Sequence, residues 1–207
     1  MTKVRQGLES ILSGKIGNMV FVQRDGKTYV RSAPKRKKDS STPAMLLNQK
    51  RFGLVISFCG QFKSTVIPQI WNLAAVGTSG FRLFQKTNSP AFAPDGSLRD
   101  PKSLRLSTGK LTVPQGLTAG KPEVGSSIVE VSWLVDQHLG GIHLQDELMV
   151  ISAADGKYSD ILATGILRGQ LNGSFELPAL PAPATQIYLF FGSKDRRDYS
   201  ESACFDV

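Results

Sequence analysis

The alternation of apolar and polar residues near the N-terminus predicts a β-hairpin. Residues 16–23 and 28–31 are rich in β-branched and aromatic side chains, and they flank an Arg-Asp-Gly-Lys tetrapeptide at 24–27. An Asp-Gly pair between two such runs is a strong hairpin signal, because the turn needs positive φ angles. Phe21 would face one side of the first strand and Val22 the other, so we expect both faces of the hairpin to be covered.

A helical pattern follows a charged loop. Thr42-Pro43 is typical of a helix start, because threonine caps free N–H groups and proline lacks the N–H that would go unpaired there. Apolar residues then recur with helical spacing. They form one stripe that we expect to be buried, made of Met45, Phe52, Val55, Ile56, Cys59 and Phe62. Two shorter helices are expected at about residues 70–74 and 80–87.

From about residue 103 the chain changes to short β-rich runs separated by Gly, Pro and Asp. The candidate strands are residues 103–107, 111–113, 127–135, 147–153, 161–167, 173–177, 186–192 and 200–205. In the third run, every second residue should point into a core, namely Val129, Val131, Trp133 and Val135. Runs of this number and spacing are typical of an antiparallel sandwich.

These elements predict an α+β or mainly β fold. An N-terminal β-hairpin and two or three helices would be followed by an antiparallel immunoglobulin-like β-sandwich. We place the domain boundary in the turn-rich linker, which gives a basic hairpin and helical region at 1–95 and a sandwich domain at 96–207. At 207 residues the chain is long enough for one large or two small domains with proper cores.

The positive charge is concentrated in the first quarter of the chain. Residues 1–52 contain twelve Lys and Arg against three Asp and Glu, whereas residues 53–207 contain thirteen against fourteen. Lysine and arginine attract phosphates through Coulomb forces and counterion release, and Tyr29 and Phe21 lie close enough in sequence to stack on bases. The candidate polyanion-binding residues are Arg24, Lys27, Arg31, Lys35, Arg36, Lys37, Lys38, Lys50 and Arg51. The alternative is a solvated face whose charge keeps the protein soluble.

One segment suggests a metal site. If Gly140-Gly141 forms a two-residue hairpin turn, His138 and His143 stand opposite each other, with Asp136 one pleat away. Two imidazoles and a carboxylate suit zinc or a similar ion, which would indicate a metal-dependent enzyme. The alternative is two exposed histidines in a loop.

Other catalytic signals are absent from the sequence. There is no Gly-x-Ser-x-Gly elbow, His-Glu-x-x-His helix, phosphate-binding glycine loop or dinucleotide fingerprint. We therefore predict no cofactor and no enzyme activity, and expect a non-catalytic interaction or structural protein. An unidentified protein partner is the leading expectation, nucleic acid or another polyanion the alternative, and no membrane contact is expected.

The N-terminus and the cysteines bear on the compartment. Residues 1–21 lack the continuous apolar segment of a signal peptide, and the uncharged run at 64–81 is interrupted by Pro68 and a Gly-Thr-Ser-Gly turn. We expect a soluble, cytoplasmic protein. Cys59 and Cys204 are expected to be buried free thiols, with a disulfide as the alternative.

The N-terminal motifs resemble an uncharacterised family of Bacteroidota proteins. The resemblance is carried by Gly14-Lys15-Ile16-Gly17-Asn18, Arg31-Ser32-Ala33-Pro34, Thr42-Pro43 and Arg51-Phe52, and in the second half by Ser132-Trp133 and Tyr199-Ser200-Glu201-Ser202. It implies a hairpin, a following helix and a C-terminal β-domain. It implies no activity. Asn48-Gln49 and residues 136–145 depart from the family pattern.

Overall fold

The computed structural model describes residues 2–3, 13–24, 27–35, 41–123, 125–136, 140–178 and 180–207. The chain is an α+β protein that divides into two compact units, Met1–Thr42 and Pro43–Val207. This division falls at 42–43, whereas the sequence predicts a domain boundary near residue 95. Within the described ranges, no helix is long and apolar enough to cross a membrane.

The first unit is a four-stranded antiparallel sheet. Its strands are β1 (Thr2–Lys3), β2 (Gly14–Ile16), β3 (Met19–Arg24) and β4 (Lys27–Ser32), in the order β1-β4-β3-β2. Arg24 pairs with Lys27, which confirms the predicted hairpin register. The sequence pattern predicts a single strand over residues 16–23. In the structure Gly17, at a φ of 57°, turns the chain between β2 and β3, and glycine enters this backbone region without strain.

Three helices open the second unit. They are α1 (Pro43–Gly60), α2 (Ile67–Ala74) and α3 (Gly80–Asn88), and they confirm the helix start at Thr42-Pro43 and the two shorter helices. Ser79 caps α3 by accepting a hydrogen bond from the Arg82 backbone N–H. Asn72 of α2 accepts another from the Gly80 backbone N–H at 3.0 Å, which fixes the α2–α3 corner.

Eight strands complete the second unit. They are β5 (Thr118–Gly120), β6 (Ile128–Ser132), β7 (Glu147–Ala154), β8 (Lys157–Tyr158), β9 (Leu162–Leu167), β10 (Asn172–Glu176), β11 (Gln186–Gly192) and β12 (Ala203–Asp206). One antiparallel sheet has the order β10-β6-β5. The other has the order β12-β11-β7-β8, with β9 also paired to β7. Six of the eight predicted strands are thus present.

The other two predicted strands, at 103–107 and 111–113, are not formed. Pro101–Ser103 is a 3-10 turn, and Leu111 makes only an isolated bridge to Ser200. Side chains take the place of a strand partner in this segment. Ser202 Oγ accepts from the Leu106 N–H at 2.9 Å, and the Leu106 carbonyl accepts from Trp71 Nε1 at 3.0 Å. The backbone N–H and carbonyl of Leu106 are therefore hydrogen-bonded without a paired strand.

The larger sheet is buried on both faces. Odd-numbered positions of β11, such as Leu189, and even-numbered positions of β7, such as Val150, pack against the smaller sheet through Val129, Val131 and Trp133. The alternate positions of both strands pack against the helices; they include Met149, Ile151, Tyr188 and Phe190. The second unit therefore has three layers: helices, a five-stranded sheet and a three-stranded sheet.

The predicted core positions of β6 are confirmed except for the last. Val129, Val131 and Trp133 are buried, whereas Val135 is 63 % exposed. The strand ends at Ser132, so the two-residue period no longer decides which way Val135 faces.

Candidate functional site

One face of the N-terminal sheet collects the predicted cations. Arg31 pairs with Val20, Tyr29 with Val22, and Arg24 with Lys27, while Lys15 pairs with Val20 from β2. Because directly opposed residues of an antiparallel pair lie on the same face, Lys15, Arg24, Lys27, Arg31 and Tyr29 share one surface. We call these five residues the cationic face. Its four charged residues are exposed, and Tyr29 is half-buried.

The opposite face of this sheet is mostly apolar. Phe21 pairs with Val30, and Ile16 with Met19. The expectation that Phe21 lies beside the cations is therefore wrong, because its register puts it on the other face from Tyr29. Tyr29 is the one aromatic side chain on the cationic face among the described residues.

The charged residues that the structure describes in the N-terminal unit are all cations. The described part of the N-terminal unit holds Lys and Arg but no Asp or Glu. Lys35 is exposed just after β4. Three further candidates, Arg36, Lys37 and Lys38, lie outside the described residues, so their part in a binding surface stays a prediction.

The remaining two candidates belong to the second unit. Lys50 is exposed on α1. Arg51 is half-buried, and its Nη2 donates to the Ser89 carbonyl at 2.7 Å. Arg51 therefore joins α1 to the turn after α3, a structural role that the basic run in the sequence does not reveal.

The predicted histidine hairpin is not formed. Gly141–Gln145 is a 3-10 helix, so the two-residue turn that would bring His138 opposite His143 is wrong. His138 lies outside the described residues. His143 Nδ1 lies 3.2 Å from Asp146 Oδ2, and Asp136 is half-buried and lines a small cavity with Arg168. The described residues contain no group of three His, Cys, Asp or Glu that could hold a metal.

His143 instead belongs to a buried charge cluster that the sequence did not indicate. Asp146 and Arg168 side chains are each 3 % exposed, with Arg168 Nη1 3.7 Å from Asp146 Oδ2. Burial is the main influence on both groups: it raises the pKa of Asp146 and lowers the pKa of Arg168. Arg168 Nη2 donates to Thr112 Oγ1 at 3.1 Å, and the guanidinium lies over the Phe191 ring at 5.2 Å from its centre.

The apolar stripe of α1 is only partly buried. Val55 and Cys59 are buried and Phe62 is too, as predicted. Met45, Phe52 and Ile56 were expected to be buried with them, but they are exposed. The exposed apolar side chains of the helix are Met45, Leu46, Leu47, Phe52, Leu54 and Ile56. The periodicity is real, but among the described residues of α1 the buried ones, Val55 and Cys59, lie in its C-terminal half.

Both cysteines are free thiols. Cys59 is buried and Cys204 is half-buried. Burial raises the pKa of Cys59 to about 11 and also raises the pKa of Cys204. Neither thiol is therefore set up as a nucleophile.

No protein-family model, curated protein or solved structure matches this chain.

Proposed function

We propose that this protein is a non-catalytic binding protein whose cationic face contacts a polyanion, with nucleic acid as the leading class. The observation that carries the proposal is the strand register, which puts Lys15, Lys27 and Arg31 on one face with Tyr29. A loop of scattered cations would need to be ordered by its ligand. Here a sheet holds the charges in place beforehand, which lowers the entropic cost of binding.

The chemistry of the face suits phosphates and bases together. Lys27, Tyr29 and Arg31 alternate along β4, so neighbouring side chains on the face are about 7 Å apart. Each cation that neutralises a phosphate releases counterions. A base stacked on an aromatic ring contributes about 1–3 kcal/mol. Tyr29 between two cations therefore favours a single strand with accessible bases over a duplex.

Two variants of equal charge change test this proposal on the two faces of the same sheet. Lys27→Gln removes one positive charge from the cationic face, and Ser32→Glu adds one negative charge on the opposite face. We expect Lys27→Gln to weaken binding of a labelled single-stranded oligonucleotide about fivefold or more at low salt, as fluorescence anisotropy would measure. Ser32→Glu should weaken it much less. Equal effects would mean that only net charge matters and would refute a binding face.

A second surface supports a protein partner, the leading expectation from the sequence. The exposed apolar side chains of α1 include Leu46, Phe52 and Leu54, and together they approach the size of patches that mark interaction sites, about 300–600 Å². The helix also carries Lys50 and no acidic residue. The same helix of a second copy would offer Lys50 no acidic partner, so we propose an acidic amphipathic helix as the occupant.

Phe52→Ser tests this second surface. Phe52 is 56 % exposed, so the change leaves the core intact. We expect an acidic Leu/Glu amphipathic peptide to bind the parent protein and to bind Phe52→Ser at least fivefold more weakly. A scrambled peptide of the same composition should bind neither. Self-association of the parent protein that Phe52→Ser abolishes would replace the peptide with a second copy as occupant.

We also propose that the sandwich is immunoglobulin-like and that the chain belongs to the uncharacterised Bacteroidota family. The facing sheets of the second unit, with Trp133 against Phe191 in their core, support an immunoglobulin-like class for the sandwich. The hairpin and the helix start at Thr42-Pro43 support membership of the uncharacterised Bacteroidota family. A solved structure of a family member with the same strand order would test both.

A further inference from the structure

A pocket of about 370 Å³ lies in the second unit, beside the buried charge cluster. Its polar lining comes from Lys110, Thr112, His143 and Arg168, with Ile142 as an apolar wall. None of these residues belongs to the cationic face or to the exposed side of α1. The pocket is therefore independent of the proposed function.

Arg168 gives the pocket an incompletely paired buried cation. The side chain is 3 % exposed, and its Nη1 has no hydrogen-bond partner among the described residues. Its Nη2 donates to Thr112 Oγ1. Thr112 keeps its own hydroxyl proton for another acceptor, because a hydroxyl is both donor and acceptor. A buried guanidinium with an unused donor is costly, and a negative group nearby would lower that cost.

No Asp or Glu is among the described residues that line the pocket. Asp146 lies between His143 and Arg168, so one carboxylate faces two nitrogen groups. Asp136 also acts on Arg168 and lines a separate small cavity with it, and Asp198 acts on Asp146. Lys110 makes no ion pair within the described part of the chain. It is thus the cation at the pocket that no carboxylate compensates.

We infer that this pocket binds a small oxyanion, a carboxylate or a phosphate group. Lys110 supplies the uncompensated charge at the mouth, and the Thr112 hydroxyl supplies a donor. Arg168 supplies a fixed charge beneath them, where the surrounding protein screens it less than water would. The volume fits a group of a few heavy atoms with its water, in the lower range of ligand sites.

Titrations of the full chain with inorganic phosphate and with acetate test the inference. Backbone amide chemical shifts of Thr112, Ile142 and His143 report binding at the pocket. We expect saturable shifts with at least one anion, and about fivefold weaker binding in Lys110→Gln. Lys157→Gln is the matched control, since it removes an exposed lysine from strand β8, which does not line the pocket. Lys27→Gln shows whether the cationic face contributes to phosphate binding.

The titrations distinguish a phosphorylated ligand from a carboxylate ligand, and they also show whether the pocket binds an oxyanion. Saturation by phosphate alone indicates a phosphorylated ligand, and saturation by acetate indicates a carboxylate ligand. Equal weakening in Lys110→Gln and Lys157→Gln, or shifts that never saturate at tens of millimolar anion, would overturn the inference. Arg168 is left unchanged, because replacing a buried charge would test folding rather than binding.

Discussion

Trp71 and Trp133 lie in the two separate cores of the second unit, and they are the only tryptophans in the chain. Trp71 packs with Phe84 between the helices and the larger sheet. Trp133 packs with Phe191 between the two sheets, and its Nε1 donates to the Arg168 carbonyl at 2.9 Å. Because β7 and β11 form walls of both cores, we predict that the cores unfold together.

This prediction is tested by a mutation in one core whose effect is measured by tryptophan fluorescence in the other core. In a Trp71→Phe background, Trp133 is the only fluorescent indole and reports on the core between the sheets. Adding Val55→Ala removes two methyl groups from a side chain that is 1 % exposed in the core under the helices. Lost burial costs about 0.8 kcal/mol per group, and the cavity adds to it. The higher helix propensity of alanine offsets about 0.5 kcal/mol.

The expected net loss is about 1.5 kcal/mol of unfolding free energy. For a chain of this size, each kcal/mol lowers the melting temperature by about 2–4 °C. Thermal unfolding followed by Trp133 fluorescence should therefore shift down by about 3–6 °C on adding Val55→Ala. If Trp133 keeps its transition while calorimetry shows a new, earlier one, the two cores are independent and the reasoning from the shared strands is wrong.

Three further perturbations have defined outcomes. Gly80→Ala should destabilise the protein by several kcal/mol in denaturant titrations. A Cβ at Gly80 would lie 2.3 Å from Asn72 Oδ1 and 2.5 Å from the Asn72 backbone nitrogen. The control Gly53→Ala, on α1, meets open space and should be neutral or stabilising. The pKa of Cys59 is raised by burial to about 11, so the native state holds its proton longer than the unfolded state does. Unfolding free energy should thus fall as pH rises from about 9 to 11, a fall that Cys59→Ala should reduce. Asp146→Ala should cost about 3 kcal/mol in the same titrations, because it removes the carboxylate that pairs with the buried guanidinium of Arg168. Full stability of Asp146→Ala would refute the ion pair.

The sequence predicts those elements whose signals are local. The strand at Gln186–Gly192 is confirmed with the predicted bounds. The Asp155-Gly156 turn between β7 and β8 has both residues at positive φ, as an Asp-Gly turn requires. In each case the deciding residues lie next to each other in the chain.

The sequence is less informative where distant residues decide the outcome. The predicted stripe of α1 includes Phe52, which is 56 % exposed, because a helical period does not say how far along the helix its packing partners extend. Leu106 lies on no strand, because Trp71 and Ser202 satisfy its backbone groups from far along the chain. No sequence pattern predicted that Arg168 is buried. Its burial depends on Asp146 and on the layers above and below, which no local pattern encodes.

The cationic face could be predicted from the sequence only in part. The charges of residues 1–52 are visible in the sequence, but the register that separates Tyr29 from Phe21 is not. Two-residue periodicity predicts that alternate residues face opposite sides, while strand pairing decides which neighbours meet. The unpredicted turn at Gly17 brings Lys15 onto the same face as Arg31.

The salt dependence of single-stranded oligonucleotide binding tests the central claim most directly. The logarithm of the binding constant should fall linearly with the logarithm of salt concentration, with a slope of about −0.7 per neutralised phosphate. The triple variant Lys15→Gln, Lys27→Gln, Arg31→Gln should bind more weakly, with a slope smaller in magnitude by about 2, because it lacks three cations. A slope that the triple variant leaves unchanged would contradict binding through the cationic face.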